Sequence, residues 1–271
     1  MNDLNTSTEA PNTTETAIGF IPCYRLPFLS LFHADCMEIM RQYPDKYFDL
    51  AIVDPPYGIK AVQIMYKGRE GYTNPKEKYK VSKASHTMKD WDNERPTIKY
   101  FNELQRVSKN QIVWGGNYFA DLLPVSRGWV FWDKDVNGDF SKGELAWTSF
   151  DMALQKVLYV WDGMRQGQQV NGTACKGGNW KQGNPCNLER RDHPTQKPEL
   201  LYQWILRNHT KTDFKILDTH FGSGSIALAV DKANRLDKMN LHLTACEIDK
   251  EYIDKAIKRI SESIKQGTLS F

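Results

Sequence analysis

The fold is decided by residues 214–225, FKILDTHFGSGS. An apolar run that ends at Asp218 predicts a buried strand, and Gly222 and Gly224 predict a tight turn before a helix. A second predicted strand ends at Glu247, roughly 20 residues beyond the turn, where an acid can hydrogen-bond the hydroxyls of a ribose. This pattern indicates a nucleotide-like ligand. It fits a dinucleotide cofactor nearly as well, and an ordinary turn with an acidic helix cap also stays open.

Outward from this stretch, predicted strands and helices alternate along most of the chain. Helices are predicted at residues 36–42, 198–208, 225–233 and 249–264, and another begins at Pro96. Strands are predicted at residues 29–33, 48–53, 111–114, 129–132, 152–161, 214–217 and 241–246. No convincing helix separates 129–132 from 152–161, so we expect these two strands to form an antiparallel pair. The alternation indicates an α/β fold with a mostly parallel sheet covered on both faces.

The sequence DPPYG at residues 54–58 directly follows the predicted strand 48–53. Ligands of α/β sheets bind at the carboxyl ends of strands, and the two prolines fix the backbone there. An exocyclic amine of a base is a poor nucleophile because its lone pair is delocalised into the ring. The Asp54 carboxylate and the Pro55 carbonyl would accept both amino hydrogens and stabilise the positive charge that develops on nitrogen. Tyr57 offers a flat face for a base turned out of a duplex; a proline-rich turn capped by Asp is the structural alternative.

These motifs resemble the amino-methyltransferases of DNA, which act on N6 of adenine or N4 of cytosine, in the permuted order that places the catalytic motif first. The resemblance covers about residues 29–265. It implies a Rossmann-like class I fold that depends on S-adenosylmethionine, with a mostly parallel seven-stranded sheet and a terminal antiparallel strand. It also implies the catalytic residues Asp54, Pro55, Pro56 and Tyr57.

The same resemblance implies a set of cofactor-binding residues. Asp35, after the first predicted strand, would accept from the amino group of the cofactor's adenine, and Glu247 would bind its ribose. The segment HPTQKP at 193–198 would lead into the helix beside the cofactor's methionine end. The set comprises Asp35, Lys197, Asp218, Gly222, Ser223, Gly224 and Glu247. Taken by itself, Lys197 could pair with a carboxylate or a phosphate, but a surface position is the default for a lysine. The family usually carries Phe where this chain has His220, to which we assign no role beyond a half-buried pocket wall.

Charge is nearly balanced over the whole chain but not along it. The 271 residues include 36 Lys and Arg against 33 Asp and Glu, a net charge of +3. Residues 60–90 hold eight Lys or Arg and three acids, and residues 163–197 hold six and two. We therefore expect a disordered tail at 1–18 and one methyltransferase domain at 19–271, with a basic insertion at 59–93 and a DNA-recognition segment at 163–192. Ordinary solvated loops would show the same excess of basic residues, so charge alone does not distinguish the two interpretations.

Cysteine usage and hydropathy indicate a cytoplasmic protein. Five scattered cysteines form no Cys-x-x-Cys pair, so we expect neither disulfides nor a metal site. No apolar run approaches the length of a membrane span, and the N-terminus lacks a signal pattern. The resemblance implies double-stranded DNA as partner, and it leaves open a homodimer and a cognate restriction endonuclease in the same system.

The sequence thus predicts a site-specific methyltransferase that transfers a methyl group from S-adenosylmethionine to adenine N6 by direct displacement on a flipped base. Methylation of cytosine N4 is the nearest alternative, since those enzymes more often carry Ser in place of Asp54. Methylation of protein glutamine is less favoured, because those relatives carry Asn there. An NAD-dependent oxidoreductase and a DNA-binding protein without activity are the alternatives from other classes.

Overall fold

The computed structural model describes residues 19–59, 94–135, 141–161, 166–167, 169–170, 173–174, 189 and 196–268. The predicted tail at 1–18, the insertion at 59–93 apart from its first residue, and most of the segment at 163–192 lie outside the described residues. Within the described part, no helix is long and apolar enough to cross a membrane.

The described chain contains five α-helices, one short 3-10 helix at Gly116–Tyr118 and thirteen strands. The helices are α1 Cys36–Arg41, α2 Ile98–Val107, α3 Glu199–His209, α4 Ser225–Asp237 and α5 Lys250–Thr268. The strands are β1 Tyr24–Leu26, β2 Leu29–His33, β3 Phe48–Val53, β4 Ser108–Trp114, β5 Trp129–Asp133, β6 Gly143–Thr148, β7 Gln155–Leu158, β8 Val160–Trp161, β9 Gln166–Gly167, β10 Gln169–Val170, β11 Thr173–Ala174, β12 Lys215–Asp218 and β13 His242–Glu247.

One sheet of nine strands forms the centre of the fold, in the order β1-β2-β13-β12-β3-β4-β6-β5-β7. Strands β2, β13, β12, β3 and β4 run parallel to one another, as the alternating pattern predicts. Strand β6 is antiparallel to both of its neighbours, and β1 is antiparallel to β2 at one edge. The α/β class is confirmed, but the sheet has nine strands rather than seven.

The sequence-based pairing of the strands near residues 129 and 155 is wrong. Strand β5 pairs with β7 in parallel, because β6 lies on its other side and makes the antiparallel contacts. The sequence does not predict β6, because its residues, GELAWT, do not alternate between apolar and polar side chains. Its first three residues are only partly buried and its last three are fully buried, so it carries no period-two signal.

Apolar side chains on the two faces of the sheet form two separate cores. On β3, Leu50 and Ile52 belong to one core, whereas Ala51 and Val53 belong to the other. Successive strand residues point to opposite faces, so a strand that is apolar throughout must be covered on both. The continuous apolar run of β3 therefore places Asp54, the next residue, at the rim of a sheet buried from both sides.

The carboxyl ends of the five parallel strands meet at one edge of the sheet. Asp54 follows β3, Gly115 follows β4, Thr219 follows β12, and Glu247 closes β13. The two predicted motifs, far apart in sequence, are therefore brought to the same edge, where ligands of α/β sheets bind.

Candidate active site

A cleft opens at this edge of the sheet. Its lining combines residues of both predicted motifs with residues of the segment before α3 and of helix α5. The lining residues are Asp54, Pro56, Gln196, Lys197, Tyr202, His220, Phe221, Gly222, Ser223, Glu247, Asp249 and Tyr252. The catalytic and cofactor predictions thus converge on one continuous cleft.

At one end of the cleft, Asp54 lies in a closed group with two other side chains. The Tyr57 hydroxyl donates to Asp54 Oδ1 over 2.6 Å, and Lys197 Nζ pairs with Asp54 Oδ2. Lys197 Nζ also donates to the Tyr57 hydroxyl oxygen over 3.2 Å. A carboxylate offers about four lone pairs, so these two contacts leave acceptor capacity on both oxygens of Asp54.

The surface position expected for Lys197 is wrong. Its side chain is only 3% exposed, and a second carboxylate oxygen, Glu144 Oε2, lies 3.3 Å from its Nζ atom. Burial alone would lower the pKa of Lys197, but the carboxylates of Asp54 and Glu144 outweigh burial and raise it. Lys197 is therefore a buried ammonium directed at the predicted catalytic carboxylate.

Glu144 on β6 continues this group away from the cleft. Burial alone would raise its pKa, but the ammonium groups of Lys197 and Lys134 bring the pKa to about 2. The four side chains form an alternating series of charges: Lys134, Glu144, Lys197 and Asp54. Such alternation limits the penalty of burying each charge. Sequence reasoning missed Glu144 because it missed the strand that carries it.

The ring of Tyr57 is held by aromatic neighbours and by a glycine. It stacks on Tyr118 with ring centroids 4.9 Å apart and an 18° angle between the planes, and Phe119 lies edge-on at 6.1 Å. Gly115 has a φ of +68°, and a Cβ atom there would lie 2.2 Å from Cε1 of Tyr57. Gly115 is thus required both by its backbone conformation and by the close approach of the tyrosine ring.

At the other end of the cleft, a glycine turn and an acid provide a nucleotide-binding geometry. Gly222 and Gly224 have φ values of +51° and +72°, and Gly224 caps helix α4. Glu247 accepts from the backbone N–H groups of Gly222 and Asp249, each over 2.9 Å and each on a different oxygen. Both oxygens retain a free lone pair for a further donor such as a ribose hydroxyl. These residues fit a nucleoside cofactor, as predicted.

Other predicted residues support the cleft without lining it. Pro55 is buried, and Gly224 packs on Phe221. Asp218 is 3% exposed and accepts from the backbone N–H of His220 over 3.0 Å, so it shapes the turn. Burial raises its pKa to about 7, against the opposing effect of that hydrogen bond. Asp35 is exposed and caps helix α1 through Met37 N.

Arg259 on α5 also holds the glycine turn, and sequence reasoning missed it. Its Nη1 atom donates to the carbonyl of Ser223 over 2.8 Å and to the Ser225 hydroxyl over 3.0 Å, while Nη2 pairs with Glu189. Glu189 in turn accepts from the backbone N–H of Glu199 over 2.9 Å. One partly buried ion pair therefore connects the cofactor turn to the start of α3.

A mostly parallel sheet with a glycine turn and acidic side chains at its carboxyl edge is the architecture of a class I methyltransferase. The family model described as DNA methylase, N6_N4_Mtase, matches residues 75–258, well over half of the chain. The chain belongs to this N6/N4 DNA methylase family. Enzymes of the family depend on S-adenosylmethionine, so the cofactor prediction is confirmed and the oxidoreductase alternative is set aside.

Curated relatives agree with this assignment. The type II methyltransferase M.HpaI of Haemophilus parainfluenzae is 35% identical over 260 residues, which cover 85% of this chain and 73% of the relative. The type II methyltransferase M.ScaI of Streptomyces caespitosus is 23% identical over 310 residues, which cover 96% of this chain and 92% of the relative. Among solved structures, the cytosine-N4-specific PvuII DNA methyltransferase has a TM-score of 0.51 at 13% identity and 89% coverage of each chain, a likeness of fold.

Proposed function

We propose that this DNA methyltransferase transfers the methyl group of S-adenosylmethionine to N6 of adenine at a specific DNA sequence, by direct displacement on a flipped base. The observation that carries this proposal is the placement of Asp54. Its carboxylate lines the cleft, is paired with the buried ammonium of Lys197, and keeps lone pairs for a further donor.

The acceptor groups at Asp54 explain how an unreactive amine would be activated. The Asp54 carboxylate would accept one amino hydrogen, and the carbonyl of Pro55 would accept the other, which draws the nitrogen toward a tetrahedral geometry. As the nitrogen becomes positive, an anionic acceptor at this distance stabilises the transition state more than the ground state. Lys197 and Glu144 would hold the Asp54 side chain in one orientation during this change.

The cofactor, when bound, supplies a methyl group on a positively charged sulfur. The adenine nitrogen, held by Asp54 and Pro55, would displace the sulfur from the methyl carbon, so that the carbon–sulfur bond would break with its electron pair left on sulfur. The nitrogen then releases one of its two protons to solvent, which needs no strong base because the methylated, protonated amine is acidic. Asp54 and Pro55 orient the nitrogen throughout, and no covalent bond to the protein forms.

Tyr57 and the basic segments would bind the DNA substrate. Because Tyr118 already stacks on one face of the Tyr57 ring, the flipped base would contact the other side of that ring. The base must leave the duplex because its amine is otherwise engaged in the base pair. The Lys- and Arg-rich segments at 60–90 and 163–192 would contact phosphates and read the target sequence. The family resemblance is also the basis on which we propose a homodimer and a cognate restriction endonuclease.

Mass spectrometry of nucleosides tests the choice of base. We expect unmethylated DNA treated with the protein and S-adenosylmethionine to yield N6-methyladenine. Detection of N4-methylcytosine without N6-methyladenine would refute the adenine assignment while leaving the methyl transfer intact.

A substitution series tests the role of Asp54. We expect Asp54→Ala to lower kcat by about 10²-fold or more, because one of two preorganised charge-stabilising groups is lost. The matched control is Asp151→Ala, which removes an exposed carboxylate paired with Arg127 at the surface. Full activity of Asp54→Ala would contradict the mechanism altogether.

A further inference from the structure

A buried chain of polar groups lies behind the cleft, at the position where the resemblance leads one to expect an apolar aromatic ring. The Tyr100 hydroxyl lies 2.6 Å from Oγ1 of Thr219, and Oγ1 of Thr219 lies 2.9 Å from Nδ1 of His220. Tyr100 and Thr219 are 4% and 2% exposed, so water does not reach these contacts. The Tyr100 and His220 rings meet edge to face at 5.6 Å.

Two hydroxyl protons must be placed in this chain, and only one arrangement satisfies both. If Tyr100 donates to Thr219, the Thr219 hydroxyl donates to Nδ1 of His220, and every group is paired. The reverse order would leave the Tyr100 proton without an acceptor among the described residues, and donation to Thr219 from both neighbours would leave the Thr219 proton without one. A buried O–H without a partner costs about 1–3 kcal/mol, so the first arrangement is favoured. The network therefore assigns Nδ1 of His220 as an acceptor.

This assignment fixes the chemical character of the other ring nitrogen. A neutral imidazole with an acceptor at Nδ1 carries its proton at Nε2. Burial lowers the pKa of His220 to about 4, so the ring is neutral at physiological pH. His220 lines the cleft, and its Nε2 atom hydrogen-bonds no described residue. The cleft wall thus presents one preorganised N–H donor that a phenylalanine at this position would lack.

We propose that His220 is a cofactor-binding residue that donates from Nε2 to an acceptor atom in the adenosyl half of S-adenosylmethionine. The adenosyl half is favoured because His220 lines the same cleft as Glu247, the acid expected at the ribose, and lies two residues before Gly222, whose backbone N–H donates to Glu247. Tyr100 and Thr219 are positioning residues, because they set the tautomer of His220 without reaching the cleft. The inference rests on the cofactor of the family and goes beyond the residues that the sequence motifs supply.

Calorimetry with two cofactor analogues tests the proposal. S-adenosylhomocysteine carries both halves of the cofactor, whereas 5′-methylthioadenosine lacks the amino-acid half. We expect His220→Phe to weaken both analogues roughly tenfold, since one hydrogen bond in a protected site is lost. His220→Gln, whose side-chain amide can place an N–H near the Nε2 position, should stay within about threefold of the wild type.

The outcomes separate this inference from the proposed function. Equal binding of S-adenosylhomocysteine by the wild type and His220→Phe would overturn the role of His220 alone. Weaker binding of S-adenosylhomocysteine with unchanged binding of 5′-methylthioadenosine would overturn the assignment to the adenosyl half. A wild type that binds neither analogue would instead contradict the methyltransferase function.

Nitrogen NMR of the imidazole provides a readout that does not depend on folding or activity of a variant. We expect the wild-type His220 ring to be neutral with its proton on Nε2, and the Nε2 resonance to shift when S-adenosylhomocysteine is added. Thr219→Val removes the donor to Nδ1 and keeps the side-chain shape, so the ring should become a mixture of tautomers. A proton on Nδ1 in the wild type would overturn the inference.

Discussion

Replacement of Lys197 by Met gives the sharpest test of the buried charge series at the active site. The substitution keeps most of the side-chain volume and removes an ammonium that is 3% exposed. Removing one member of a buried ion pair costs about 3–5 kcal/mol when the remaining charge is left unpaired. Asp54 and Glu144 retain 20% and 23% exposure, and Glu144 keeps Lys134. We therefore expect the free energy of unfolding to fall by about 2–3 kcal/mol.

A matched control isolates burial from charge. Lys156→Met removes a lysine of which the side chain is 59% exposed and which pairs with Asp133 over 2.8 Å. Exposed pairs contribute about 0–1 kcal/mol, so this variant should unfold in urea almost as the wild type does. Equal destabilisation of Lys156→Met and Lys197→Met would refute the argument from burial.

The destabilisation caused by Lys197→Met, measured against the wild type, has a defined pH dependence. The folded-state pKa of Glu144, about 2, lies below its ordinary value of 4.5, so its pairing stabilises the protein above 4.5 and is lost as pH falls toward 2. The difference in stability between the wild type and Lys197→Met should therefore shrink over that range. A difference that stays constant from pH 6 down to the acid transition, roughly pH 3, would show that Glu144 is not coupled to Lys197.

Activity and cofactor binding then decide what Lys197 acts on. The structure pairs its Nζ atom with Asp54 and Tyr57, although the sequence motif assigns it to the cofactor. We expect Lys197→Met to lower kcat by about 10²-fold, with little change in the affinity for S-adenosylhomocysteine. Lost affinity with an unchanged kcat would refute this reasoning and restore the original assignment.

Two further substitutions test the site from opposite sides. Gly115→Ala should destabilise the protein by roughly 2–4 kcal/mol and lower activity, because the new methyl group strains the backbone and displaces the Tyr57 ring. The control is Gly19→Ala, where the nearest atom to the new methyl group lies at 3.8 Å. Equal stability of both variants in urea would contradict the packing argument. Because the folded-state pKa of Asp218 is raised, the unfolding free energy of the wild type should fall as pH rises from 3.8 to about 7. Asp218→Asn should remove this fall. Parallel pH profiles of the two proteins would show that Asp218 titrates normally.

The parts of the site that follow directly on a strand could be predicted from the sequence. An apolar run has one carboxyl end, and in a parallel sheet those ends meet at one edge. Asp54 after β3 and Glu247 at the end of β13 therefore reach the cleft by a rule that needs no tertiary information. The glycine turn after β12 is predictable for a different reason, because its positive φ values restrict the residue type.

The partners of these residues could not be predicted, because nothing local specifies them. Lys197 reaches Tyr57 across 140 residues of chain, and its burial depends on the carboxylates that surround it. A lysine read in isolation belongs on the surface, where most lysines lie. Glu144 was hidden for a different reason, since β6 shows neither helical nor alternating periodicity. Its position between β4 and β5, which both precede it in sequence, is set by the sheet as a whole.

Asp54 and Lys197 form a unit, and this bears on the choice between adenine and cytosine. The resemblance associates Ser at position 54 with the cytosine enzymes, but a serine cannot neutralise the ammonium of Lys197. In this chain, Asp54 supplies one of two carboxylates around that buried charge, and Glu144 supplies the other. Under the proposed mechanism, an acid at 54 would serve twice, as an acceptor for the target amine and as a counter-charge for Lys197. Residue 54 alone would then be an incomplete indicator of the target base, because its pairing with Lys197 also requires an acid.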